Sequence, residues 1–178
     1  VFAFGSSAWC LAMIFYRSAP PEHALLAAKL LYVSPVVTPT AFLLFGLFFP
    51  NEKVNKKIIF SVILCTLFIA TLTLTKNTVV TDVISPAVGE KIIIFGWAYY
   101  AFYIFYYPTF FFLGYYIFLK KYFRAKGNIK KQLLCLMIGT ALGSFPGMVT
   151  CLIFGTFGVF EYRWLGSVST SFWTGGVY

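Results

Sequence analysis

The chain has 178 residues, of which 60% are hydrophobic, 21% are aromatic and only 11% are charged. Soluble domains carry about 25% charged residues, so this composition excludes an ordinary soluble domain and indicates an integral membrane protein. The formal net charge of +9 does not indicate nucleic-acid binding, because the basic residues sit in short segments between apolar runs. At such places they set topology and meet anionic lipid headgroups, so the expected partners are the lipid bilayer and those headgroups, with no nucleic acid.

The four cysteines lie inside apolar runs and show neither CxxC nor metal-ligand spacing. We therefore interpret Cys10, Cys65, Cys135 and Cys151 as small buried hydrophobic residues and predict no disulfide, no metal site and no cofactor. The chain begins without a methionine and ends in the middle of an apolar run, which leads us to expect a part of a longer protein.

Two apolar runs open the chain, at about residues 1–17 and 24–49. A helix of about 20 apolar residues can cross a hydrocarbon core ~30 Å thick, so each run predicts a transmembrane helix. Pro20 and Pro21 cannot continue the first helix, because proline lacks a backbone N–H and disfavours helix in the residue before it. A short loop is therefore predicted between the two helices.

Lys29 lies a little more than one turn inside the second span. In the first interpretation, its side chain extends along the helix so that the ammonium group reaches the membrane interface. In the second, it is an inward-facing cation that pairs with a ligand or with a tyrosine hydroxyl. The sequence leaves both interpretations open.

Proline residues mark predicted kinks within the spans. Pro35 and Pro39 lie four residues apart in the second span, and Pro108 and Pro146 interrupt later ones. A proline kink frees backbone carbonyls that neighbouring threonine hydroxyls can satisfy. We predict these four positions as candidate hinges, although most kinks serve packing alone.

A third apolar helix is predicted over about residues 58–75. It follows a polar loop whose excess of lysine places that loop on the cytoplasmic side, and its threonines are interpreted as packing residues. Residues 77–96 then contain two β-branched runs on either side of a Pro- and Gly-containing turn, which predicts a short hairpin. Together with the preceding Lys76 the charges cancel, since Lys76 and Lys91 oppose Asp82 and Glu90, so we expect the hairpin on the extracytoplasmic face.

The fourth predicted helix, about 97–119, is an aromatic run without a single charge. Its aromatic residues fall on every side, so no single buried stripe can be assigned, and most are interpreted as packing or interface residues. A strongly basic loop follows and marks the cytoplasmic side. The basic residues of this loop are Lys120, Lys121, Arg124, Lys126, Lys130 and Lys131.

The fifth predicted helix, about 132–159, contains a row of small residues that recur every four positions. Small residues at this spacing allow two helix backbones to approach closely within a bilayer. We prefer a contact with another helix of the same chain, and a homodimer seam is the alternative. The row consists of Gly139, Gly143, Gly147, Cys151 and Gly155.

A sixth helix, about 167–178, is cut off at the end of the chain. Strict alternation of basic and near-neutral connections puts both the Val1 side and the continuation after Tyr178 in the cytoplasm. The predicted fold is therefore a single all-α membrane domain with a bundle of about six transmembrane helices and one extracytoplasmic hairpin.

The residues resemble a known membrane family. Trp9 in the first helix, followed by Lys29–Tyr32, Pro39 and Phe42–Phe45, resembles the second and third helices of the seven-helix region at the N-terminus of bacterial sensor histidine kinases. The neutral hairpin, the basic segment before Gln132 and the entry to the last helix are similar to the rest of that region. The resemblance covers nearly the whole chain.

This resemblance implies a sensory input domain in the bacterial cytoplasmic membrane. The family's first helix would precede Val1, and its seventh helix would lead to a cytoplasmic output module, typically a histidine kinase. For the stimulus we predict a ligand pocket in the outer half of the bundle. The residues of this pocket are Lys29, Tyr32, Trp97, Tyr100 and Tyr103.

Catalysis within the segment is not predicted. The single histidine, His23, lies in a proline-flanked loop, and the five acidic residues also lie in loops, without the partners that acid and base catalysis requires. Two alternatives to the sensor remain, a structural subunit of a larger membrane complex and a fragment of a small-solute transporter. Transporters usually place ionisable residues at membrane depth, and here only Lys29 qualifies.

Overall fold

The fold is mostly helical. The computed structural model describes residues 2–50, 53–86 and 91–157. It is 81% helical, which confirms the predicted all-α class. The elements in chain order are α1 (Phe2–Ser18), α2 (Ala24–Val33), α3 (Val37–Phe48), α4 (Lys56–Leu74), β1 (Val80–Ile84), β2 (Ile92–Phe95), α5 (Ile104–Arg124), α6 (Gly127–Met148) and α7 (Phe154–Thr156). Between them lie 3-10 turns at Pro21–His23 and Ser34–Val36, and π-helical turns at Tyr99–Tyr103 and Val149–Ile153.

Within the described residues, three helical segments are long and apolar enough to cross a membrane. They are Pro21–Phe48, which joins α2 and α3, Lys56–Leu74, and Tyr99–Arg124. The predicted count of six spans is not confirmed by this result. The predicted last helix, about 167–178, lies outside the described residues.

The helices run alternately up and down between two ends. At one end, Lys29 near the start of α2 contacts the last residues of α4, and Lys91 beside the hairpin contacts the last turn of α1. At the other end, Lys121 in the last turn of α5 contacts the end of α3. We call these the hairpin end and the basic end, because the second also carries the starts of α4 and α6 with their lysines.

The hairpin lies where the sequence predicts one. Strands β1 and β2 pair antiparallel, with an irregularity in register between Val80 and Asp82. The amide of Gly96 donates to the Val79 carbonyl at 3.0 Å. A Cβ atom on Gly96 would overlap the Thr78 carbonyl. The hairpin therefore needs glycine where it approaches the start of the aromatic run at residues 97–119, which we call the aromatic segment.

Helices α3 and α5 pack by placing phenylalanine rings over glycines. A Cβ atom on Gly114 would lie 2.6 Å from the Phe42 ring, and one on Gly46 would lie 3.3 Å from the Phe118 ring. All four residues are buried. Each helix therefore presents one ring and accepts one ring, and the two backbones can approach closely.

The predicted basic loop is largely helical, which corrects the sequence interpretation. Helix α5 continues to Arg124, α6 begins at Gly127, and only Ala125 and Lys126 connect them. Gly127 has a φ of +60°, a conformation that glycine adopts without strain. Lysine and arginine are good helix formers, and their long side chains reach water from a helix end, so charge alone did not end the helices.

Candidate functional site at a broken helix

The helix predicted over residues 24–49 is broken in its middle by the 3-10 turn Ser34–Val36. Pro35 lies in this turn and has no N–H to offer to the Leu31 carbonyl, and Ser34 Oγ donates to that carbonyl instead, at 3.3 Å. Pro39 lies in the first turn of α3, where proline is tolerated because the first amides of a helix have no helical acceptor. A segment long and apolar enough to span a membrane thus contains a break between two regular helices.

Two tyrosines of the aromatic segment bond to the backbone on either side of this break. Tyr103 Oη donates to the Tyr32 carbonyl at 2.7 Å, and Tyr106 Oη donates to the Val36 carbonyl at 3.0 Å. Both tyrosine side chains are buried. Because buried tyrosine hydroxyls need a partner, these two bonds connect the aromatic segment to both halves of the broken helix.

A chain of three hydroxyl groups extends this contact to α4. Thr40 Oγ1 lies 2.6 Å from both Thr66 Oγ1 and Tyr106 Oη. Thr66 can also donate to the Val62 carbonyl at 2.8 Å. Each hydroxyl has one proton to donate, so the chain can run toward Val36 or, reversed, toward Val62. The break and α4 are therefore joined by bonds with two alternative directions.

Aromatic rings fill the space between the break and the hairpin. The rings of Phe95 and Tyr99 are stacked at 3.8 Å between centroids, and those of Tyr99 and Tyr103 at 5.6 Å. The Tyr32 ring meets Phe95 and Tyr103 edge-on, at 5.4 and 5.6 Å. Offset and edge-on pairs of this kind are favourable beyond the area that they bury. The hairpin, the broken helix and the aromatic segment therefore share one core.

The two π-helical turns touch each other. Tyr99, in the first turn, donates through Oη to the carbonyl of Leu152, in the second turn, at 3.1 Å. Pro108 follows the first turn within α5, and Pro146 precedes the second within α6. π-helical turns are rare in proteins overall, and those that occur are often found at functional sites. The candidate hinges Pro35, Pro108 and Pro146 thus lie in or close to irregular helix, and whether they move stays a prediction.

The structure does not bring the five predicted pocket residues together. Tyr32 and Tyr103 are buried neighbours, whereas the side chains of Trp97 and Tyr100 are 60% and 46% exposed. The prediction therefore combines buried and exposed aromatic residues, and only the buried pair contacts the broken helix. Trp97 packs its ring against Phe102, with 5.9 Å between centroids.

Lys29 serves a role that neither sequence interpretation named. Its Nζ donates to the carbonyls of Leu74 and Thr75, both at 3.2 Å. These carbonyls end α4, where they have no helical partner and where the helix dipole favours a cation. Lys29 therefore caps a neighbouring helix.

Two further lysines act in the same way. Lys91 Nζ donates to the carbonyls of Tyr16 and Ala19 at 2.7 and 2.6 Å, which caps α1. Lys121 Nζ donates to the Leu47 carbonyl at 3.0 Å and also to that of Phe49, which caps α3. Sequence analysis missed these caps, because a cap from another helix depends on which helix ends are neighbours.

Part of the predicted row of small residues is buried by contacts within the same chain. Gly139 and Gly143 are buried, and Gly147 is half-buried. The side chains beside them contact α5, since Tyr115 Oη lies 3.1 Å from a hydroxyl of Thr140 and 3.1 Å from one of Ser144. Cys151 lies in the second π-helical turn and Gly155 in α7. A homodimer seam along this row stays a prediction.

The site offers hydroxyls and carbonyls rather than charges. Besides Tyr103, which sequence analysis named, its polar contacts are formed by Tyr106, Thr40, Thr66 and Tyr99, which sequence analysis did not single out for function. Across residues 2–50, 53–86 and 91–157, no three His, Cys, Asp or Glu side chains lie close enough to hold a metal ion. Each of these hydroxyls can act as a donor or as an acceptor, so the network can be satisfied with its bonds in either direction.

Comparison with known proteins gives one match. A model of the family described as the N-terminal 7TM region of histidine kinase matches residues 1–177. No curated protein and no solved structure matches the chain. The match therefore extends over all the residues that form the broken-helix site.

Proposed function

The chain belongs to the family of N-terminal 7TM regions of histidine kinases, and from this premise we propose that it passes a stimulus from the membrane to a cytoplasmic output module. It is a membrane-embedded sensory input domain of a two-component system. The observation that carries the proposal is the family match over residues 1–177. The family description names a histidine kinase, so we propose a kinase as the output module.

The proposal needs an element with two packings of similar free energy, one of which the stimulus binds better. The broken-helix site fits this need. If Tyr106 leaves the Val36 carbonyl, its hydroxyl still has Thr40 and Thr66 within reach, at 2.6 and 3.2 Å. The Tyr106 proton can then be donated to Thr40 with the chain reversed toward Val62, so the number of hydrogen bonds is kept and the two packings stay close in free energy.

The test compares two tyrosines of the same helix. Tyr106→Phe removes a buried hydroxyl from the hydroxyl chain, whereas Tyr116→Phe removes one from a side chain that is 63% exposed. Hydrogen bonds between membrane helices contribute about 0.6 kcal/mol on average, so the first change should shift basal output about three-fold and the second should not. Autophosphorylation of the full-length protein in liposomes, measured with and without the stimulus, gives both values.

Two results would contradict the proposal. An unchanged basal output and an unchanged response in Tyr106→Phe would show that the hydroxyl chain does not set the equilibrium. If the full-length protein showed no ATP-dependent phosphorylation, the proposal of a kinase as the output module would be ruled out. The transporter and the structural subunit lack a supporting observation, since Lys29, the residue that came nearest to the transporter pattern, caps α4.

We propose the bacterial inner membrane as the location, with the basic end in the cytoplasm. The starts of α4 and α6 and the end of α5 carry most of the lysines and arginines, as the positive-inside rule requires. In a cysteine-free background, Lys76→Cys and Lys126→Cys place one thiol at each end. A membrane-impermeant maleimide should label only the first in intact spheroplasts, and labelling of the second alone would reverse the orientation.

The predicted five-residue pocket remains a separate proposal. Trp97 and Tyr100 are its exposed members, at 60% and 46%, so a ligand that arrives through the lipid would meet these two side chains first. The double variant Lys29→Met with Tyr100→Phe tests it. A wild-type dose response of the full-length receptor to its stimulus would rule the pocket out.

A further inference from the structure

The outward face of α5 carries a stripe of exposed apolar and aromatic side chains. Phe112, Tyr116, Leu119 and Phe123 follow one another at spacings of four, three and four, which places them on one side of the helix. Phe123, the last of them, is 73% exposed. In a membrane this stripe meets acyl chains along half of the helix.

The stripe ends beside two cations at the basic end. Lys120 and Arg124 are exposed and lie one turn apart, and Lys120 follows Tyr116 by one further turn. Within the part of the chain that the structure describes, neither makes an ion pair or a hydrogen bond. By contrast, Lys121 is engaged with α3, and Lys130 lies over the Tyr122 ring at 4.8 Å.

The charges around these two side chains are of one sign. Residues 120–131 contain six basic residues and no acidic residue. The two-residue connection between α5 and α6 keeps these cations at one depth, since Lys130 and Lys131 lie within the first two turns of α6. Crowded cations repel one another, and an anion at the membrane surface relieves that repulsion.

We propose that this face of α5 binds an anionic phospholipid of the adjacent leaflet. Its acyl chain would lie along the stripe that ends at Phe123, and its phosphate would lie between Lys120 and Arg124. A guanidinium group is well suited to a phosphate, because its planar N–H groups bind two oxygens at once. The apolar stripe selects a lipid over a soluble polyanion, because a soluble partner has no group to place against it.

The lipid would act on a part of the protein that is linked to the broken helix. Lys121, between the two phosphate-binding residues in sequence, ties the same turn of α5 to the end of α3. An occupied lipid site therefore holds this turn, and with it α3, in the observed packing. The binding itself does not require that the domain is a sensor.

The test measures lipid binding to the purified full-length protein. Native mass spectrometry of detergent-purified protein, titrated with phosphatidylglycerol or phosphatidylcholine, counts the lipids retained. The variant Lys120→Gln with Arg124→Gln should bind phosphatidylglycerol on the order of ten-fold more weakly, because each basic residue near an anionic surface contributes to binding. The exchange Lys120→Arg with Arg124→Lys keeps both charges and should retain most of the affinity.

A matched control separates a site from a general charge effect. Lys53→Gln with Lys56→Gln removes two exposed charges from the same end, one just before α4 and one at its first residue. This variant should bind phosphatidylglycerol nearly as the wild type does. Equal losses in both double variants, no loss in either, or equal binding of phosphatidylcholine would each overturn the proposal. If the Lys120 and Arg124 double variant unfolds, Arg124→Gln alone gives the same comparison.

Discussion

The two halves of the aromatic segment pack against the broken helix by different means. Toward the hairpin end, tyrosine hydroxyls bond to backbone carbonyls, as Tyr103 does to Tyr32. Toward the basic end, phenylalanine rings lie over glycines, as Phe42 does over Gly114. The first half includes a π-helical turn, whereas the second is regular α-helix.

This difference indicates which half of the helix bundle can change its packing. Ring-over-glycine packing has a single arrangement, because a close-packed core tolerates little displacement. Hydroxyl bonds have alternatives, since Tyr106 lies within reach of the Val36 carbonyl and two threonine hydroxyls. We therefore expect the basic half to hold the fold and the hairpin half to respond.

The largest effect on stability is expected from a methyl group added at the contact between Gly114 and the Phe42 ring. Gly114→Ala puts a methyl group 2.6 Å from the fully buried Phe42 ring, and overpacking of this kind costs about 1 to 3 kcal/mol. The free energy of unfolding in mixed micelles should fall accordingly. Adding Phe42→Leu should restore part of it, and Leu113→Ala on the exposed face should change little. A Gly114→Ala protein of wild-type stability would contradict the close packing.

The second effect concerns coupling within the hydroxyl chain. Thr40→Val and Tyr106→Phe should not be additive, because each removes a partner of the other, and the coupling energy should be about 0.5 to 1.5 kcal/mol. The same unfolding assay measures this double-mutant cycle. Thr71→Val provides the control, since Thr71 bonds to its own helix at the Leu67 carbonyl. Additive effects of Thr40 and Tyr106 would show that the chain does not act as a unit.

The smallest effect is expected at a helix end. Lys29→Met leaves the last carbonyls of α4 without their cation, which costs about 0.3 to 1 kcal/mol. Amide hydrogen exchange in the last turn of α4 should therefore be about two- to five-fold faster. Lys76→Met, two residues beyond the helix, is the control. Equal exchange in both variants would show that the cap is not formed in the membrane.

The sequence predicts elements better than it predicts contacts. Apolar runs agree with the three spans found among the described residues, Pro35 coincides with the break at Ser34–Val36, and β-branched residues around a turn coincide with the hairpin, because each of these signals is local. The inward face of the first π-helical turn and α5 is a regular stripe that includes Tyr103, Tyr106 and Phe110, yet the outward face is aromatic as well. Lipid is as apolar as a protein core, so composition does not distinguish the two faces.

The candidate site shows the same limit. The prediction included Tyr32 and Tyr103 because of their depth and type, but it also included Trp97 and Tyr100, which face outward. Isolated glycines such as Gly114 carry the closest helix contact, although the regular row on α6 is the stronger sequence signal. Both cases depend on which helices are neighbours in the fold, and no local sequence pattern contains that information.

The contact between the two π-helical turns has a consequence for rotation. A π-helical turn contains about one residue more than an α-helical turn, so its relaxation to α geometry rotates the chain beyond it by about 100°. Because Tyr99 bonds to the Leu152 carbonyl, such a rotation in one turn breaks the bond that holds the other. The two π-helical turns would then relax together, and the residues after Ile153 would rotate with the second turn.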